Sequence, residues 1–211
     1  MKGALAAITL AAASLLLSGA RRTPEGLPFY QTAERTPEWI AAGTREYARI
    51  HRVAAFSLTD QDGTVVDTAT VAGKIYVASF FFASCRDLCP KLQVNLARVQ
   101  AAFRDDDRVL ILSHSVSPET DDVAALQHYA AINGVISEKW HLLRGPAAEI
   151  SRLARASYFA QLPDSVNGVA VRLRHSETFV LVDAQRRVRG VYDGSLAYDT
   201  ERLIADIHAL R

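Results

Sequence analysis

The sequence predicts an α/β domain. Its sheet is mainly parallel and covered on both faces, with a hairpin before it and an antiparallel unit closing it. Three observations predict this. Residues 75–82 and 109–112 are nearly unbroken apolar runs, the pattern of strands buried on both faces. Between them Leu92, Leu96, Val99 and Phe103 recur at helical spacing. The chain then alternates strand-like and helix-like segments before ending in two strands and a helix.

Residues 54–59 and 64–71 flank Gln61-Asp62-Gly63 and predict the hairpin. The strand at 75–82 leads straight into Cys85-Arg86-Asp87-Leu88-Cys89-Pro90. Pro90 suits a first helical turn, where its missing N–H is no loss. Ser117-Pro118-Glu119 reads as the cap and first turn of a helix reaching about Ile132, with Asn133-Gly134 ending it. Residues 140–143 form a short strand, and Gly145-Pro146 opens a helix to about Tyr158. Residues 178–182 and 188–192 pair across a tight turn, and Asp199-Thr200 caps a final helix with Leu203, Ile204, Ile207 and Leu210 inward. This is the plan of the thioredoxin fold with an N-terminal β-hairpin and an inserted helix-strand segment.

The amino terminus reads as an export signal. Met1-Lys2 is basic, residues 4–17 are almost wholly apolar, and Ser18-Gly19-Ala20 are small. An apolar run of about 14 residues falls short of the roughly 20 that span a bilayer, although an uncleaved anchor helix is the competing reading. Leu17-Ser18-Gly19 resembles the start of a bacterial lipoprotein box, with Ala20 where the lipidated cysteine would stand. The expected organisation is a signal peptide at 1–20, a tether or extended segment at 21–46, and one domain at 47–211. The expected location is extracytoplasmic or periplasmic, with membrane association through the N-terminus. A formal net charge of +1 with mixed signs gives no argument for nucleic acid.

Two cysteines in 211 residues cannot form a disulfide framework. A bond closing so short a loop adds little chain-entropy stabilisation. A chemical site is the stronger reading; a structural bond and a pair of inert buried thiols are the alternatives. The polar neighbours Ser84, Arg86 and Asp87 argue against burial. The cysteines fall between a buried strand and a helix start, where open α/β sheets bind ligands and where the helix dipole favours thiolate. Three intervening residues make a slacker loop than Cys-x-x-Cys, able to turn both sulfurs to one ion. Two thiolates favour Cu(I), with zinc as competitor, and a trigonal site needs a third ligand.

Six histidines are candidates. His51 lies at the junction of tether and domain, His128 and His208 on helices, His114 at a strand end and His141 within a strand. His175 stands just before the strand at 178, after the irregular stretch 164–174, so a loop there could reach the cysteines.

The run from Phe80 through Phe81, Phe82, Ala83, Ser84, Cys85, Arg86, Asp87, Leu88, Cys89 and Pro90 to Lys91 resembles the signature of the Sco (SenC) family. So does His175-Ser176-x-Thr178-x-x-Leu181-x-Asp183, and the resemblance extends from about His51 to the carboxyl end. It implies a thioredoxin fold and copper, as Cu(I) with Cu(II) as a second state, bound by Cys85, Cys89 and His175. It also implies delivery of copper to the dinuclear centre of cytochrome c oxidase, or to another acceptor, with thiol-disulfide exchange as a related activity. Two departures stand out. Arg174 precedes the histidine where many relatives carry aspartate, and Ser117-Pro118 replaces a common Asp-Pro.

The competing function is an extracytoplasmic thiol-disulfide oxidoreductase, in which Cys85 attacks, Cys89 resolves and a partner reductase restores the pair. His175 separates the two readings, since a reductase has no need of it. A peroxidase of the same fold is a third reading, but no motif places a reactive cysteine beside peroxide-activating Thr and Arg.

Overall fold

The computed structural model describes residues 26–84, 89–160 and 177–211. Its first regular element is one helical turn, α1 (Arg45–Ala48), whose N-cap Thr44 accepts a hydrogen bond from the Tyr47 amide. The hairpin follows as β1 (Ser57–Thr59) and β2 (Val65–Asp67), each much shorter than the apolar pattern suggests. Asp60 explains the tight turn: its Oδ1 accepts from the Asp62 and Thr64 amides. Beyond β2 the Asp67 carboxylate captures the Ala69 and Thr70 amides, which ends the strand before Val71.

The central sheet is built from β3 (Ile75–Phe81), β4 (Val109–Ser115), β5 (Trp140–Leu143), β6 (Thr178–Val182) and β7 (Val188–Asp193), in the order β5-β4-β3-β6-β7. β3 pairs parallel with β4, and β4 parallel with β5. β3 pairs antiparallel with β6, and β6 antiparallel with β7. The predicted parallel sheet with an antiparallel closing unit is therefore the observed one. β3 and β4 are buried at every residue, as runs without alternation require.

The helices are α2 (Cys89–Ala102), α3 (Val123–Asn133), α4 (Ala147–Arg152) and α5 (Ala197–Ala209). α4 continues as a π-helical turn over Leu153–Ser157. One face of the sheet packs Val77, Ile111, Phe179 and Leu181 against Leu92, Leu96, Val99 and Phe103 of α2 and the turn beyond it. Leu126 and Tyr129 of α3, with Leu203 and Ile207 of α5, complete that face. The other packs Tyr76, Phe80, Leu112 and Val180 against the hairpin, α4 and the π turn. The predicted apolar face of α2 is the buried one, and each such side chain contributes about 1.5–3 kcal/mol by leaving water.

Two helix starts differ from expectation. α3 begins at Val123, because Asp122 caps it by accepting from the Ala125 amide. The stretch expected to be its first turn, from Ser117, is a separate loop whose Thr120 and Asp121 amides both donate to the Ser117 carbonyl. α5 begins at Ala197, and Asp199 sits inside its first turn, where it accepts from the Asp193 amide rather than capping. Gly134 ends α3 in the left-handed region, at φ 65°, as expected.

The segment from residue 26 lies along β7. The Tyr30 amide donates to the Val188 carbonyl, and Arg189 donates to the Leu27 and Pro28 carbonyls. The Arg189 guanidinium also stacks 4.1 Å from the Phe29 ring centroid. No helix among the described residues is long and apolar enough to cross a membrane.

Candidate metal and thiol site

The end of the sheet where β3 finishes is built by topology. β3 and β4 run parallel, so both deliver their C-terminal ends there. β6 runs antiparallel to β3, with Ala78 opposite Val180, so β6 starts at that same end. The chain leaving β3 at Phe81 and the chain entering β6 at Thr178 thus lie at one edge of adjacent strands.

Cys89 is the first residue of α2. Cys85 and His175 lie outside the described residues, as does Arg174. Ser84 is exposed at the end of the turn after β3. The Glu177 carbonyl, two residues past His175, accepts from the Gly194 amide. The Gly194 carbonyl in turn accepts from Asn95 Nδ2 at 2.7 Å. This joins the start of β6, the turn after β7 and the second turn of α2 around one end of the sheet.

The other five histidines have other surroundings. His51 Nε2 sits 3.0 Å from the Ser157 carbonyl, with its ring on Phe159. His128 is exposed on α3. His141 Nδ1 pairs with Asp60 Oδ2 at 3.0 Å, tying β5 to the hairpin. His208 packs on Phe103. His114 is wholly buried beside Phe80 and Tyr158. Its Nδ1 is 3.2 Å from the Ser79 carbonyl, and its Nε2 has no partner among the described residues. Burial pushes its pKa down to about 4, against a smaller upward pull from the Ser79 carbonyl. Among the described residues no group of three His, Cys, Asp or Glu side chains could hold a metal.

One residue at this end was not singled out from the sequence. Asp121 is buried, and its Oδ2 accepts from the Ala83 amide at 3.1 Å and from the Ser115 hydroxyl at 2.6 Å. Burial, with a smaller push from the Asp121 charge, raises the Tyr129 hydroxyl to about 12. The only sequence signal was an aspartate in a short polar loop after a buried strand.

Solved structures share this architecture. A SCO1/SenC family lipoprotein from Bacillus anthracis is 26% identical, with a TM-score of 0.68, covering 76% of this chain and 95% of that one. BsSco, described as having a disulfide switch and as a member of the Sco family of cytochrome c oxidase assembly proteins, is 26% identical at a TM-score of 0.65. The match covers 76% of this chain and 94% of that one. Copper-bound ScoI of Bradyrhizobium japonicum is 25% identical at a TM-score of 0.60, covering 76% and 99%. A family model described as SCO1/SenC matches residues 44–211. With its thioredoxin-like α/β fold and a family model that matches residues 44–211, the chain belongs to the SCO1/SenC family.

Proposed function

We propose that the chain is an extracytoplasmic copper-binding protein that takes Cu(I) as cargo on Cys85, Cys89 and His175 and passes it to a copper acceptor. The observation that carries this reading is the antiparallel pairing of β3 with β6. It brings the β3–α2 junction, which holds both cysteines, and the start of β6, three residues after His175, to one end of the sheet. Two thiolates and an imidazole suit Cu(I). The start of α2, a helix of 14 residues, favours thiolate at its amino end.

Copper-bound ScoI supports the choice of metal, and Cu(II) is the second state the same donors would take. BsSco's membership of a family of cytochrome c oxidase assembly proteins supports the copper-centre subunit of that oxidase as acceptor. Transfer proceeds by ligand exchange, the acceptor's thiolates replacing Cys85, Cys89 and His175 in turn. The lipoprotein relative supports an exported, membrane-associated location. The cysteine that a lipid anchor requires would then stand, in a relative or parent, where this chain has Ala20. A plain, unmodified start at Arg21 in protein from the native gene contradicts that placement.

The disulfide switch of BsSco favours a second reading, thiol-disulfide exchange. The Cys85 thiolate attacks an acceptor disulfide and releases one acceptor thiolate. The Cys89 thiolate then displaces the second, leaving the acceptor with two thiols and this chain with a Cys85–Cys89 disulfide. A partner dithiol reductase returns the pair to thiols.

Anaerobic Cu(I) competition titration tests the first reading. Reduced protein is expected to bind one Cu(I), and H175A, which removes a direct ligand, to weaken binding by at least the roughly hundredfold that loss of an outer-shell partner can cost. Unchanged affinity in H175A removes His175 from the site and leaves the exchange reading.

A further inference from the structure

We propose that Asp121 is a positioning residue for the loop that carries Cys85 and Cys89, acting through the Ala83 amide. The carboxylate is 2% exposed. Its Oδ2 accepts from the Ala83 N–H at 3.1 Å and from the Ser115 O–H at 2.6 Å. Ala83 is two residues before Cys85, at the point where the chain has left β3. Asp121 therefore fastens the upstream end of the cysteine loop to the loop after β4.

That second loop is itself braced. The Val116 amide donates to the Phe81 carbonyl at 2.8 Å, and the Ser117 amide donates to Ser115 Oγ at 3.2 Å. Arg144, just past β5, donates from Nε to the Asp121 carbonyl at 2.9 Å and from Nη2 to the Pro118 carbonyl at 3.1 Å. The guanidinium thus grips the backbone of the loop and leaves the carboxylate free to face Ala83. A carboxylate taken out of water costs several kcal/mol unless its oxygens are well satisfied. Here the satisfaction comes from the Ser115 hydroxyl at the end of β4 and from the Ala83 amide in the turn that leads into the cysteines.

The downstream end of the loop is fixed as well, since Cys89 opens α2 and Asn95 anchors that helix to Gly194. Fixing both ends raises the effective concentration of one thiol at the other and reduces the ordering cost of binding. The use of the loop for copper rests on the reading above. Its positioning by Asp121 is read through the dithiol–disulfide equilibrium, which needs no metal.

The test compares full-length D121A and D121N with wild type in glutathione redox buffers at pH 7, together with hydrogen exchange at the Ala83 amide. D121A is expected to shift the couple towards dithiol by about tenfold, about 30 mV for two electrons, and to speed Ala83 exchange. D121N keeps an amide oxygen to accept both hydrogen bonds and is expected within twofold of wild type. An unchanged couple in D121A, or an equal shift in D121N, overturns the positioning role. Should D121A fail to fold, S115A replaces it. That variant removes the hydroxyl holding Oδ2 and is expected to shift the couple the same way by about threefold; no shift overturns the proposal. A wild-type protein that fails to take up Cu(I), with the couple still shifted in D121A, refutes the copper reading and upholds this one.

Discussion

Two buried aspartates at opposite ends of the sheet solve the same problem differently. Asp183, in the β6–β7 turn, accepts from the Gln185 and Arg187 amides and pairs with the guanidinium groups of Arg187 and Arg189. Asp121, at the cysteine end, has an amide and a hydroxyl on the same oxygen and no ion pair among the described residues. Asp183 is compensated by charge, and its arginines carry the contact onward to Phe29 and the N-terminal segment. Asp121 is compensated by hydrogen bonds alone, and its contact runs towards the cysteines. The first arrangement holds the fold together, and the second holds a turn in place.

The comparison makes graded predictions. D183A leaves two arginines buried without their partner and is expected to cost about 3–5 kcal/mol, read by denaturant unfolding. The Cys85–Cys89 couple is expected to stay unchanged in the fraction that remains folded. A shift in the couple equal to that of D121A would erase the distinction between the two ends.

Acid comes next. The pKa of His114 is lowered by burial from 6.5 to about 4. The unfolded chain therefore binds more protons than the folded one between those values. Stability is full above about 6.5 and falls as pH drops towards 4, by on the order of 3 kcal/mol in all. H114F, which keeps a flat ring beside Phe80 and Tyr158, is expected to flatten the profile over that window. An unaltered profile would show that the histidine is not buried as a neutral ring.

D121A is expected to cost about 1–3 kcal/mol, the price of leaving the Ala83 amide and Ser115 hydroxyl unpartnered. D122A, one residue on, loses only the cap of α3 and is expected to cost about 1 kcal/mol with no change in the couple. A change in the couple in D122A would mean that the whole loop, rather than the Asp121 carboxylate, places the cysteines.

Much of the fold was legible because its signals are local. The apolar runs that became β3 and β4 carry their own burial pattern, and Leu92, Leu96, Val99 and Phe103 declare one helix face. Helix starts were less legible, because several polar residues compete to cap and tertiary contacts choose among them. At Ser117 the chain makes a single turn, with the Thr120 and Asp121 amides on its carbonyl, and the helix starts afresh where the Asp122 side chain accepts from the Ala125 amide. Asp199 was drawn to the Asp193 amide. The clasp of Phe29 by Arg187 and Arg189 joins residues about 160 apart and leaves no periodicity to read. At the site, residue type and spacing pointed to Cys85 and Cys89 as a candidate pair and the family resemblance pointed to His175, but nothing in the sequence pointed to Asp121. Its partner Ala83 lies 38 residues away and contributes only a backbone amide, which no side-chain pattern reveals.

The central claim is that three side chains hold one ion, and X-ray absorption on the copper-loaded, reduced protein addresses it most directly. Wild type is expected to show Cu(I) with two sulfur scatterers and one imidazole nitrogen, and H175A to lose the imidazole signal while keeping both sulfurs. An imidazole signal that persists in H175A, or a sulfur-only site in wild type, would contradict the assignment of Cys85, Cys89 and His175.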